Sequence, residues 1–136
     1  MKTIIKVILC SLVLVSCQKL VDPVESGNSD LAGSWINPQY TDSLVTYTKA
    51  DKLVENELGI SFKSDYTLVE RKINGWCGTP PITTADYAGT WSRNDSIVTI
   101  TVGYWGGAVD ITWKIITLND HKLEIAVVKS EYHEGK

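Results

Sequence analysis

Two histidines, three cysteines, five tryptophans and six tyrosines are the residues of this 136-residue chain whose types could carry chemistry. His121 and His133 have no cysteine or carboxylate at metal-ligand spacing. There is no His-x-x-x-His, no Cys-x-x-Cys, no calcium loop and no phosphate-binding glycine loop. Cys77 and His121 could in principle form a nucleophile–base pair, but only their presence speaks for it. Carboxylates fall mostly in turns and on outward strand positions, where solvation is the default. The expectation is no catalytic residue, no metal and no cofactor, hence a protein that is not an enzyme.

The aromatic residues are more informative. Gly75-Trp76-Cys77-Gly78-Thr79-Pro80-Pro81 and Tyr104-Trp105-Gly106-Gly107 are two connections richer in aromatic and glycine residues than a turn requires. An exposed tryptophan at a hairpin tip is costly unless it contacts something. Two uses are open. Trp76, Cys77, Tyr104 and Trp105 can form a rim whose flat faces bind an apolar or sugar ligand, with Trp91 and Trp113 lining or flooring a cavity. Alternatively, the aromatics fold inward and plug the structure. Cys77, with no Lys, Arg or His beside it to depress its pKa, reads as a small buried hydrophobe; an accessible thiol would permit an intermolecular disulfide.

What must position these residues is a set of strands. Leu58, Ile60 and Phe62 alternate with Gly59 and Ser61, and Val98, Ile100, Val102 and Tyr104 alternate with Ile97, Thr99 and Thr101. The same period of two runs through Val109, Ile111, Trp113 and Ile115, then through Leu123, Ile125 and Val127. Such alternation marks strands with one buried face. Turn residues separate them at Lys63-Ser64-Asp65, Asn94-Asp95, Gly106-Gly107 and Asn119-Asp120. The expected strands are 33–40, 43–48, 57–62, 66–73, 86–93, 96–104, 108–117 and 122–129. Residues 49–57 fit either a short helix or irregular connection, or strand, because Ala50, Leu53, Val54 and Leu58 also share a helical face. Eight short strands in an up-and-down antiparallel meander close into a barrel that either fills with side chains or holds one small ligand.

The front of the chain is different in kind. Lys2 and Lys6 precede a nearly unbroken apolar run from Val7 to Val15, too short to span a bilayer but suited to a signal peptide. Leu14-Val15-Ser16-Cys17 resembles the lipobox of bacterial lipoproteins. The resemblance implies cleavage before Cys17 and acylation of its thiol and amine, two or three chains being needed for stable anchoring. Gln18, rather than Asp, after the cysteine implies sorting to the outer membrane, facing the periplasm or the cell surface. The division is then a signal peptide at 1–16, a lipidated cysteine with a flexible tether at 17–30, and a folded domain at 31–136. Cleavage removes two lysines and no acids, taking the net charge from −3 to −5. Cys77 is left without a partner for an intramolecular disulfide. This acidic balance, with Arg71 and Arg93 the only arginines, argues against nucleic acid.

Leu31-Ala32-Gly33-Ser34-Trp35 resembles the Gly-x-Trp opening of the first lipocalin strand, where the tryptophan plugs one barrel end. Tyr87-Ala88-Gly89-Thr90-Trp91 repeats the pattern, and Phe62-Lys63-Ser64-Asp65-Tyr66 is similar to a hairpin recurrent in bacterial lipocalin-like lipoproteins. The resemblance implies an all-β, eight-stranded lipocalin-like barrel; the expectation for such a barrel with this aromatic rim is that it binds a small hydrophobic or amphipathic ligand. An envelope interaction protein working through the aromatic rim, as a glycan binder or hydrolase inhibitor, is the alternative. A monomer is expected. The arginine that lipocalins carry on the last strand to stack on that tryptophan has no counterpart here, where the strand offers only Lys122 and Lys129. In a simple meander the two aromatic connections lie at one end, and parity places Trp35 at that same end.

Overall fold

A computed structural model describes residues 30–75 and 80–135. The signal peptide at 1–16, Cys17, most of the tether, and Trp76 and Cys77 lie outside the described residues. Eight strands follow one another: β1 (Gly33–Thr41), β2 (Leu44–Ala50), β3 (Gly59–Phe62), β4 (Thr67–Ile73), β5 (Thr84–Asn94), β6 (Ile97–Tyr104), β7 (Gly107–Leu118) and β8 (Lys122–Glu134). They close into an antiparallel barrel, and no helix occurs among the described residues. The period-two pattern thus does what a half-buried strand requires: Val98, Ile100 and Val102 are buried while Ile97, Thr99 and Thr101 face outward.

Around the barrel the order is β1-β2-β8-β7-β6-β5-β4-β3, closed by pairing of β3 with β1. From β3 to β8 the chain meanders between neighbours. Between β2 and β3 it does not: β1 lies between them, paired with both. Residues 51–58, neither helix nor strand, carry the chain over the outside of β1. Gly59 is buried there, and a Cβ on it would meet the Trp35 carbonyl and the side chains of Leu53 and Ile36. The helical period at Ala50, Leu53, Val54 and Leu58 thus came from one strand end and three residues of a covering connection.

That crossover reverses the parity of everything after it. Trp35, near the start of β1, sits at one end of the barrel, with the β3–β4, β5–β6 and β7–β8 turns. Ile73 and Thr84, the strand ends on either side of the first aromatic connection, and the 105–106 turn lie at the other end, opposite Trp35 rather than beside it. β2 and β3 run in the same direction on either side of β1, which a simple meander does not allow.

The closed end is built around Trp35, fully buried, whose indole N–H donates to the Leu31 carbonyl at 2.8 Å. Lys49 of β2 lies over its ring, 4.3 Å from the centroid, and donates to the Ala32 carbonyl at 2.7 Å. A cation therefore does cover this tryptophan, supplied by the second strand and not the last. Burial lowers the Lys49 pKa, partly offset by nearby Asp120. Both Gly-x-Trp glycines serve close approach. A Cβ at Gly33 would strike the Lys49 ammonium, and one at Gly89 would strike the Thr101 carbonyl across the β5–β6 pair.

Above Trp35 the barrel is filled. Phe62 meets Trp91 edge-on at 5.3 Å and Trp113 at 6.0 Å, and Trp113 meets Tyr47 at 5.9 Å. The Trp91 indole donates to the Lys63 and Thr67 carbonyls, tying β5 to the β3–β4 hairpin. Leu31 and aliphatic side chains from β2, β3, β4, β6, β7 and β8 complete this core.

Candidate functional site at the open end

The strands do not all reach the same height. β8 is paired with β2 only from Lys122 to Ala126, yet continues to Glu134 against β7. β3 is four residues long and leaves the upper part of β4 without that neighbour. Among the described residues the end away from Trp35 is therefore open, and it holds a cavity of about 360 Å³. Tyr40 of β1, Tyr104 and Trp105 of the β6–β7 hairpin, and Tyr132 of β8 surround it; Val109 and Ile111 of β7 lie below them. Glu70 and Lys72 of β4 form the opposite wall.

Tyr104 holds the aromatic side together. Its ring meets Trp105 edge-on at 5.8 Å and Tyr132 edge-on at 5.4 Å. Trp105, Tyr132 and Tyr40 remain 57%, 68% and 71% exposed, so they line the cavity without plugging it. On the wall, Lys72 Nζ lies 2.7 Å from Glu70 Oε2, close enough for an ion pair though outside hydrogen-bonding geometry. Lys72 also lies 5.4 Å from the centroid of the Tyr87 ring. Burial, with the negative charge of Glu70 adding to it, raises the Tyr40 phenol above its usual pKa. Burial first, then Glu70 and then Tyr40, raise the deeper Tyr47 further. Both phenols stay protonated at neutral pH. The cavity thus offers apolar faces, hydroxyl donors, one carboxylate and one ammonium.

Of the residues picked out from sequence, Tyr104 and Trp105 line this cavity. Trp76 and Cys77 belong to the undescribed part of the connection whose flanking residue Ile73 also lines it. Trp91 and Trp113 do not line it; they are 3% and 4% exposed and packed against Phe62. The interior cavity expected between Trp91, Tyr104 and Trp113 is replaced there by aromatic core, and the opening is confined to the mouth. His121 is in the turn at the closed end, and Cys77, the other member of that pair, lies outside the described residues. His133 sits on β8 and contacts Asp110 at 2.8 Å.

Among the lining residues that escaped the sequence reading, the two charged ones and the two tyrosines did so for two reasons. Glu70 and Lys72 alternate with Val69 and Arg71, and either face of that stretch could have been the inner one. Register settles it, placing Leu68, Glu70 and Lys72 on one face, with Leu68 in the core. Bulges account for the tyrosines. Asn37 has a positive φ within the register shift of β1, and Tyr40 beyond it is paired with buried Val45. On β8, Val128 is the extra residue between the Thr112–Lys129 and Trp113–Val127 pairs, which puts Tyr132 opposite buried Val109.

The fold and site together define a class: a small closed barrel of eight antiparallel strands, consistent with a lipocalin-like fold, sealed at one end by a tryptophan and open at the other. Comparison with protein-family models, curated proteins and solved structures gave no match to this chain.

Proposed function

We propose that this protein is a lipid-anchored outer-membrane lipoprotein that binds a small amphipathic ligand in the open end of its barrel. The observation that carries the reading is the mouth cavity: aromatic faces and the Glu70–Lys72 pair around about 360 Å³, over a filled core. A filled core favours a ligand held at the mouth over one engulfed, with its apolar part against Tyr104, Trp105, Val109 and Ile111. Its polar part would meet Glu70, Lys72 and the phenols. The lipobox-like Leu14-Val15-Ser16-Cys17 supports an acyl anchor on Cys17. Asp30 lies beside Lys49 and Asn119 at the closed end, so such an anchor would tether the barrel by the end opposite its mouth. We read the protein as a binder and not as an enzyme, needing no cofactor.

The test is native mass spectrometry of residues 18–136 incubated with an envelope lipid extract. A saturable adduct that Trp105→Ala together with Tyr132→Ala abolishes is the expected result. No adduct from a folded domain would refute the ligand reading. It would favour the second one, a glycan or protein partner docking on the rim, which the exposure of Tyr40, Trp105 and Tyr132 supports.

A further inference from the structure

In a closed barrel every strand has two neighbours, and the upper half of β8 departs from that rule. Among the described residues, 127–134 run along β7 on one side, all but the bulged Val128 paired with it, and pair with nothing on the β2 side, because β2 begins at Leu44 opposite Ala126. All eight of these residues are exposed, including Val127, Val128 and Tyr132. A run of free backbone donors and acceptors beside apolar side chains is a template for another strand.

The sequence of this edge says which strand fits. We propose that it pairs antiparallel with the same edge of a second copy of this chain, about a two-fold axis at Ser130. Two constraints select that register. Opposite residues in an antiparallel pair project to the same face, so a two-fold axis must pass through a residue position and not between two. Among such registers, one centred on Lys129 sets lysine against lysine, and one centred on Glu131 sets glutamate against glutamate. Centring on Ser130 sets Lys129 opposite Glu131 of the partner twice over, and Val128 opposite Tyr132 twice over. A register centred on Tyr132 shortens the overlap, since the described strand ends at Glu134.

Length points to the same register. The free edge starts at 127, and the Leu44–Ala126 pair blocks a partner strand from going lower. A segment centred on Ser130 reaches from 127 to 133 and fills the edge without touching β2; pairing is regular over 128–132, because Val127, before the bulge, faces inward whereas His133 faces outward. Lys129, which alone would discourage edge pairing, is already neutralised by Glu131 of its own chain at 2.8 Å. In the pair it gains the partner's carboxylate as well. Ser130 and Tyr132 project inward and Lys129 and Glu131 outward, so the two copies form one continuous sheet with their mouths side by side. This replaces the monomer expected from sequence and does not depend on what the mouth binds.

Every strand lies within 33–134, so residues 18–136 retain the whole barrel. With Cys77→Ser, that chain has no thiol until one is introduced. Ser130→Cys should oxidise rapidly to a covalent dimer, because opposed Cα atoms about 4.5–5.5 Å apart suit a disulfide. Ser64→Cys, exposed in the β3–β4 turn, should not. By sedimentation velocity, Lys129→Glu or Glu131→Lys alone should weaken dimerisation about tenfold, and the two together should restore it. A chain monomeric throughout, with Ser130→Cys no faster than Ser64→Cys, would overturn the proposal. So would a dimer indifferent to both charge changes, or a monomer that dimerises only after residues 18–29 are removed. The last result would assign the edge to the chain's own N-terminal segment.

Discussion

Alanine at Trp91 and alanine at Trp105 should have opposite consequences, although both residues are tryptophans of one small barrel. Trp91 is buried, edge-on to Phe62, and donates its indole N–H to the carbonyls of Lys63 and Thr67. Truncation removes the transfer energy of a large aromatic, opens a cavity between β4, β5 and Phe62, and strips two carbonyls of a donor. Together these cost about 3–5 kcal/mol. Trp105 is more than half exposed and has, among the described residues, one ring contact, with Tyr104, so its truncation costs below about 1 kcal/mol. A domain near 100 residues shifts in Tm by about 4–8 °C per kcal/mol. Trp91→Ala should therefore melt at least about 12 °C lower, and Trp105→Ala within about 8 °C of the parent. Thermal melts followed by circular dichroism on residues 18–136 measure both. If Trp91→Ala leaves the domain unfolded, Trp91→Phe supplies the same comparison at about 1–3 kcal/mol. The division into filled core and open rim would be refuted if Trp91→Ala melted with the parent. A Trp105→Ala variant that fell as far as Trp91→Ala would refute it too, since the rim aromatics would then be the plug.

Two further outcomes follow from the charges. The Thr101 hydroxyl, and then His133, hold the Asp110 carboxyl below its usual pKa, and Arg71 does the same for Asp86 through two hydrogen bonds. A carboxylate with a lowered folded-state pKa contributes stability that is fully present above the unfolded value of about 3.9. That contribution is lost as pH falls through the folded one. Tm should thus be flat between about pH 7 and 5 and fall below about pH 4, less steeply in Asp110→Asn; a fall already complete at pH 5 would contradict this. At the closed end, Lys49→Met keeps an apolar stem but loses both the cation over Trp35 and the bond to the Ala32 carbonyl, at about 1–2 kcal/mol. Lys122→Met on the last strand should change stability by no more than about 0.5 kcal/mol, and equal effects on Tm would remove Lys49 from its place over the tryptophan.

The sequence by itself determined the strands of the barrel and most of the core. Alternation at Val98, Ile100, Val102 or Leu123, Ile125 reports which face of a strand is apolar, and that is a local property. The turn residues between runs are local too, so all eight strands were legible to within a few residues, except that β8 continues five residues past its expected end. Sequence also marked Tyr104 and Trp105, because a tryptophan at a hairpin tip has no core to enter.

Only the tertiary structure decided which strand lies beside which. Pairing β1 between β2 and β3 satisfies the same alternation as a simple meander would, and the choice rests on residues 51–58 packing over Ile36 and Gly59. That one choice moved Trp35 to the end opposite the aromatic connections. Register and bulges decided the rest of the mouth, turning Glu70 and Lys72 inward and bringing Tyr40 and Tyr132 to its rim. The physical reason is the range of the information. A side chain's apolar character fixes its preference for the interior, whereas a strand's neighbour, and any inserted residue that flips its faces, are fixed by contacts with segments distant along the chain.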